Sequence, residues 1–109
     1  MTYGYELILD LKNCSNINRS SLRQFVIKLC SLIEMKRYDE CRVVYFGKDR
    51  FKGYSVMQFI TTSSIVGHFT DSEAFLNIFS CRKFNPNEVI RFSQTWFTAN
   101  KIKSKFLRR

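Results

Sequence analysis

Residues 53–69 read GYSVMQFITTSSIVGHF, and the organisation of the chain turns on how this stretch is divided. Apolar residues alternate on both sides of a hydroxyl run, Thr61, Thr62, Ser63 and Ser64. Tyr54 to about Ser64 reads as a long strand, interrupted or turned near the serines, and Ile65 to Phe69 follows as another. If the strand is regular, Ser55, Met57, Phe59, Thr61 and Ser63 share parity, which puts Ser55 and Ser63 on one surface. Gly67 allows a bulge or close packing just ahead of His68, the chain's single histidine. Hydroxyls near a lone imidazole are either strand decoration or a nucleophile and its proton carrier.

Outward from this stretch, RVVYFG (42–47) reads as a short strand, and KDRFKG (48–53) as a basic, glycine-ended connection. On the other side Glu73 breaks the run, and AFLNIFSC (74–81) is a strand of aromatic and branched residues. NPNE (85–88) supplies an Asn N-cap, a Pro at the first helical position and a Glu at the third. Val89, Phe92, Ser93, Trp96 and Phe97 form that helix's buried stripe, and Asn100 is its stop. The tail KIKSKFLRR reads as an edge strand whose lysines discourage further pairing.

At the front, Tyr3, Tyr5, Leu7, Leu9 and Leu11 alternate as a strand with one buried face. NCSNINRSS brings turn formers and an N-cap, and from about Ser20 the positions Leu22, Phe25, Val26, Leu29 and Ile33 follow helical spacing. The order β-α-β-β-β-β-α-β implies an α+β two-layer sandwich, an antiparallel sheet with two helices on one face, in a single domain over 1–109.

Eleven Phe and five Tyr in 109 residues exceed what one small core needs, so some rings are expected to line a pocket or an interface. A formal charge of +9 attracts anions of any kind, and with nothing but charge behind it a nucleic-acid partner is not expected. Cys14, Cys30, Cys41 and Cys81 lie too far apart in sequence for zinc-site spacing, so no metal is expected. The opening MTYGYELILD lacks a basic region followed by an apolar run, and no stretch is long enough to span a bilayer. A cytoplasmic protein with reduced thiols and no membrane partner is the expectation.

Cys81 ends the strand after His68, so a hairpin could bring its thiol to the imidazole and make Ser63, His68 and Cys81 converge. No Asp or Glu is placed by sequence to orient His68, and the Gly-x-Ser-x-Gly elbow is absent, which argues against hydrolysis. Read singly, Ser63 is a strand-end hydroxyl, His68 a structural imidazole and Cys81 a small buried side chain.

Read together, YELILDLKNC, GYSVMQFITTSSIVGHF and NIFSCRKF resemble the bacterial and archaeal S-adenosylmethionine decarboxylases, a pyruvoyl-dependent family. The resemblance implies that Ser63 attacks the carbonyl of Thr62, cleaving the chain there and leaving a pyruvoyl cofactor on the new fragment. It implies that His68 assists this cleavage with Ser55 as helper hydroxyl, and that Cys81 protonates the substrate carbon after carbon dioxide leaves. It further implies a homodimer with each site built across the interface, and a product that donates aminopropyl groups for spermidine.

Where the family carries Glu-Ser-His, this chain has Thr62-Ser63-Ser64, which leaves Ser64 as a rival nucleophile. Relatives that decarboxylate arginine or ornithine, and a non-processing relative that binds a metabolite or regulates a partner, are the alternatives. For S-adenosylmethionine as substrate, Phe46, Phe51 and Tyr54 are the candidate rings for the adenine and sulfonium.

Overall fold

The computed structural model describes residues 2–109. Six strands and two helices follow one another as β1 (Tyr5–Lys12), α1 (Arg19–Leu32), β2 (Arg37–Phe46), β3 (Gly53–Ile60), β4 (Ser63–Phe69), β5 (Glu73–Ser80), α2 (Pro86–Phe97) and β6 (Lys101–Arg108). They form one antiparallel sheet in the order β2-β3-β4-β5-β1-β6. Both helices cover the same face. This is the expected α+β two-layer sandwich.

Strand alternation sorts the side chains. Leu7, Leu9 and Leu11 of β1, Val56 and Ile60 of β3, Ile65 and Phe69 of β4, and Leu76 and Ile78 of β5 point into the core. From α1, Leu22, Phe25, Val26 and Leu29 meet them, and from α2, Val89 and Phe97. Phe25 sits at the meeting point of the helices, its ring 4.8 Å from Phe97 and 5.4 Å from Phe92. Each such side chain contributes about 1.5–3 kcal/mol on burial, so trimming Phe25 to Ala would cost about 3–5 kcal/mol.

The helix starts follow from their caps. Asn18 accepts the Ser21 amide at 2.9 Å, and Asn85 accepts those of Asn87 and Glu88 ahead of Pro86. The second helix stops at Thr98, in the left-handed region at φ 49, two residues before the expected Asn100. Glu73 opens β5 instead of breaking it, pairing with Lys12 across the sheet.

Two readings of the strands change. The stretch expected as a long strand interrupted or turned near the serines is a hairpin, β3 and β4, turning at Thr61 and Thr62 with Ile60 opposite Ser63. Turning reverses the face count, so Ser55 points to the open face of the sheet while Ser63 points to the helix side. They do not share a surface. β2 is also longer than RVVYFG, because its first half is an exposed edge with no apolar alternation. Its register shifts between Tyr38 and Arg42, and the buried Gln58 amide donates to the Tyr38 and Asp39 carbonyls freed by that bulge.

Candidate active site

At the start of β4, the two-residue turn places three reactive groups together. Thr62 adopts φ 62, a left-handed conformation that strains a β-branched residue by about 1–3 kcal/mol. Ser63 is buried, and its Oγ accepts the Cys81 backbone N–H at 2.9 Å. The Thr62 hydroxyl lies 2.7 Å from the Cys81 sulfur and 2.5 Å from the Thr61 carbonyl oxygen.

That hydroxyl has one proton for two neighbours. A carbonyl only accepts, so with a protonated thiol the S–H donates to Thr62 Oγ1 and the Thr62 proton goes to Thr61. With a thiolate, the Thr62 proton turns to the sulfur. Donation from Thr62, then from Ser63, holds the Cys81 thiol below its ordinary range against a desolvation that pushes up, with Arg82 adding a smaller pull in the same direction. The other thiols behave oppositely. Burial pushes Cys14 and Cys30 up to about 11 and raises Cys41, so Cys81 differs from the other three thiols in the direction of its shift.

Near the other end of β4, His68 faces the open side. Its Nδ1 is 2.9 Å from Ser55 Oγ on the facing strand, and its Nε2 is 2.6 Å from the Phe51 carbonyl oxygen. Because that carbonyl can only accept, Nε2 carries the proton, and the Ser55 hydroxyl donates to Nδ1 in the neutral ring. Phe51 belongs to a 3-10 turn, Asp49–Phe51, inside the basic connection. Gly47 at φ 117 lets the chain enter this turn, and Gly53 packs so tightly on Phe69 that an added Cβ would lie 2.1 Å from its carbonyl oxygen.

Around His68 the open face forms a groove of about 460 Å³ lined by Phe46, Ser55, Met57, Phe75, Asn77 and Arg42, among others. The groove walls are largely apolar, with Val44, Phe46, Met57, Val66 and Phe75 all exposed. Towards β1 the same face turns polar, where Glu6 accepts from Asn77 at 2.7 Å and pairs with Arg109 at 3.1 Å.

Ser55 and His68 therefore meet, and Ser63 meets Cys81. The expected convergence of Ser63, His68 and Cys81 does not occur within one chain. Ser63 and His68 stand five positions apart along the strand, about 17 Å at strand rise, and the two side chains lie on opposite faces. Among the candidate rings, Phe46 lines the groove. Phe51 contributes its carbonyl while its ring stands 63% exposed outside. Tyr54 faces the helix side, 4.8 Å from Tyr45 and under the Arg19 guanidinium at 5.7 Å, because it has the parity of Val56 and not of Ser55.

Phe75 and Asn77 were absent from the sequence reading. Their parity opposite Ala74, Leu76 and Ile78 was the available signal. Ser64 sits across from Phe59 and Phe79 on the open face. Among the described residues no group of three His, Cys, Asp or Glu side chains could hold a metal ion, and no helix is long and apolar enough to cross a membrane.

A family model described as S-adenosylmethionine decarboxylase matches residues 5–109. No curated protein matches the chain. Among solved structures, the chain is similar to the crystal structure of the adenosylmethionine decarboxylase from Aquifex aeolicus VF5, with a TM-score of 0.80 and 14% identity. That match covers 99% of this chain and 91% of the other, and at such identity it speaks for the fold.

Proposed function

The chain belongs to the S-adenosylmethionine decarboxylase family, and on that premise we propose that it is a pyruvoyl-dependent decarboxylase that cuts itself between Thr62 and Ser63. The observation that carries this reading is the cluster at the turn: a serine oxygen fixed by the Cys81 amide, a strained residue just before it, and a thiol in contact with that residue. These residues fit the group. Ser63 stands at the first position of β4, where the preceding carbonyl is in a turn and not locked in the middle of a ladder. Attack by Ser63 Oγ on that carbonyl gives an ester, and elimination then releases Thr62 as a carboxylate. Formed from Ser63, a pyruvoyl group would supply the electron sink for decarboxylation of an amine-bearing substrate. On this reading Cys81 holds the proton the product carbon needs, and the Phe51 carbonyl and Ser55 hydroxyl hold the His68 ring between them.

The separation of His68 from Ser63 supports a homodimer in which the open faces stack. A second copy laid across the exposed apolar strands would bury Val44, Met57, Phe59 and Val66, and could set the His68 end of one chain over the Thr62 end of the other. Each site would then draw on both copies.

The groove supports S-adenosylmethionine over arginine or ornithine as substrate. Its lining has no carboxylate to pair with a guanidinium or ammonium side chain and carries Arg42 instead, while Phe46 and Phe75 offer faces to an adenine or a sulfonium. On this reading the single domain acts in the cytoplasm and supplies an aminopropyl donor for spermidine. A second reading, an uncut relative that binds or regulates, is favoured by Thr62 and Ser64 standing where the family has Glu and His.

The denatured mass of fresh protein, with and without a carbonyl-reactive hydrazine, separates the two readings. Two fragments divided at Ser63, the C-terminal one shifted by the reagent, are expected. One intact chain that binds S-adenosylmethionine without releasing carbon dioxide would establish the second reading.

A further inference from the structure

In the uncut chain the Cys81 sulfur is met by the Thr62 hydroxyl at 2.7 Å, and the Ser63 hydroxyl is fixed beside it by the Cys81 amide at 2.9 Å. Both hydroxyls can donate to a thiolate. Cutting removes one and changes the other. The Thr62 C–N bond is exchanged for an ester to Ser63 Oγ; loss of the Ser63 Cα proton then breaks the Cβ–O bond and frees a carboxylate. Water replaces the nitrogen left on residue 63, which departs as ammonia. Residue 63 ends with no hydroxyl, and Thr62 ends as a negatively charged C-terminus.

That C-terminus cannot drift far. Ile60 stays paired with Arg37, and the Thr61 N–H donates to the Lys36 carbonyl at 3.2 Å, so the tether holds to within one residue of the new end. The other charged and titratable groups around the thiol come from the loop after β5, Arg82 and Lys83, from the loop after α1, Glu34 and Lys36, and from β2, Tyr38. The Arg82 guanidinium is held on the Glu34 carbonyl at 3.2 Å. All of them are present before and after the cut, so they do not account for a difference between the two states.

Building on the self-cleavage reading, we propose that the Thr62 carboxylate is a positioning residue for the mature site. It converts Cys81 from a thiol biased towards thiolate into one that keeps its proton for donation. A negative charge beside a thiol disfavours its ionisation, and loss of the Ser63 hydroxyl acts in the same direction. The cut thus makes the proton donor as well as the electrophile.

The test uses a partly processed preparation, alkylated briefly with iodoacetamide from mildly acidic to alkaline pH and read by intact mass. Uncut chain and the fragment containing Cys81 are resolved in one spectrum, while Cys14, Cys30 and Cys41 are buried and resist labelling. The fragment should label several-fold more slowly at neutral pH, with its profile displaced to higher pH. In uncut chain, Thr62→Val should slow labelling and Thr62→Ser restore it. Coincident profiles, or a fragment that labels faster, overturn the proposal while leaving self-cleavage standing. A chain that never cuts overturns both, and the absence of any fragment marks that case.

Discussion

The two ends of β4 solve different problems. At the Ser63 end the backbone itself is the reactive element: a strained turn, a buried hydroxyl held by an amide, and a thiol whose ionisation two hydroxyls favour. At the His68 end the backbone is regular ladder, and the chemistry lies in one ring fixed at both nitrogens. On the proposed self-cleavage one end changes once and the other stays, and a second copy would bring the two together.

The sharpest way to break this division is Ser63→Ala, which should abolish fragment formation and activity altogether. Ser64→Ala should leave cleavage at the same bond, because Ser64 lies on the other face. The reverse pattern in the mass spectrum would exchange the roles of the two faces. Next comes His68→Ala, expected to slow cleavage about 100-fold if the ring acts as general acid and base. Co-expressed with Ser63→Ala, it should recover cleavage in mixed dimers, where one site has both groups. Failure of such pairs to complement, followed by gel after mixing, would place both groups in one chain's service.

Smaller effects sharpen the structural side. Gln58→Leu leaves the Tyr38 and Asp39 carbonyls without their donor, and should cost about 1–3 kcal/mol in a denaturant melt. Ser93→Ala should change stability least, within about 0.5 kcal/mol or slightly upward, since its buried hydroxyl has no partner to lose.

Much of this was legible before any coordinates. Leu7, Leu9 and Leu11 announce a strand buried on one face, and Asn85 with Pro86 announces a helix, because both signals are local. A turn near the serines was readable, but its place at Thr61 and Thr62 was not: neither residue is the Gly or Asn that a left-handed position normally attracts, so the reversal of faces went unread. Phe51's part in the site was invisible for another reason. A backbone carbonyl carries no residue signature, and only tertiary packing aims it at His68. The first half of β2 lacked alternation because it is an exposed edge, and its pairing is fixed by Gln58 from a neighbouring strand.

The strand order has a consequence for the life of the molecule after cutting. A break at Thr62 leaves β1, β2 and β3 on one fragment and β4, β5 and β6 on the other, yet β1 lies between β5 and β6. The pieces are interwoven, not merely docked, so a nicked molecule cannot come apart without melting its sheet. Once melted, it must find its other half by diffusion. The uncut chain folds as one body and a chain cut as proposed would have to reassemble as two, so such a cut would be a one-way passage and heat loss of the cut form concentration-dependent and largely irreversible.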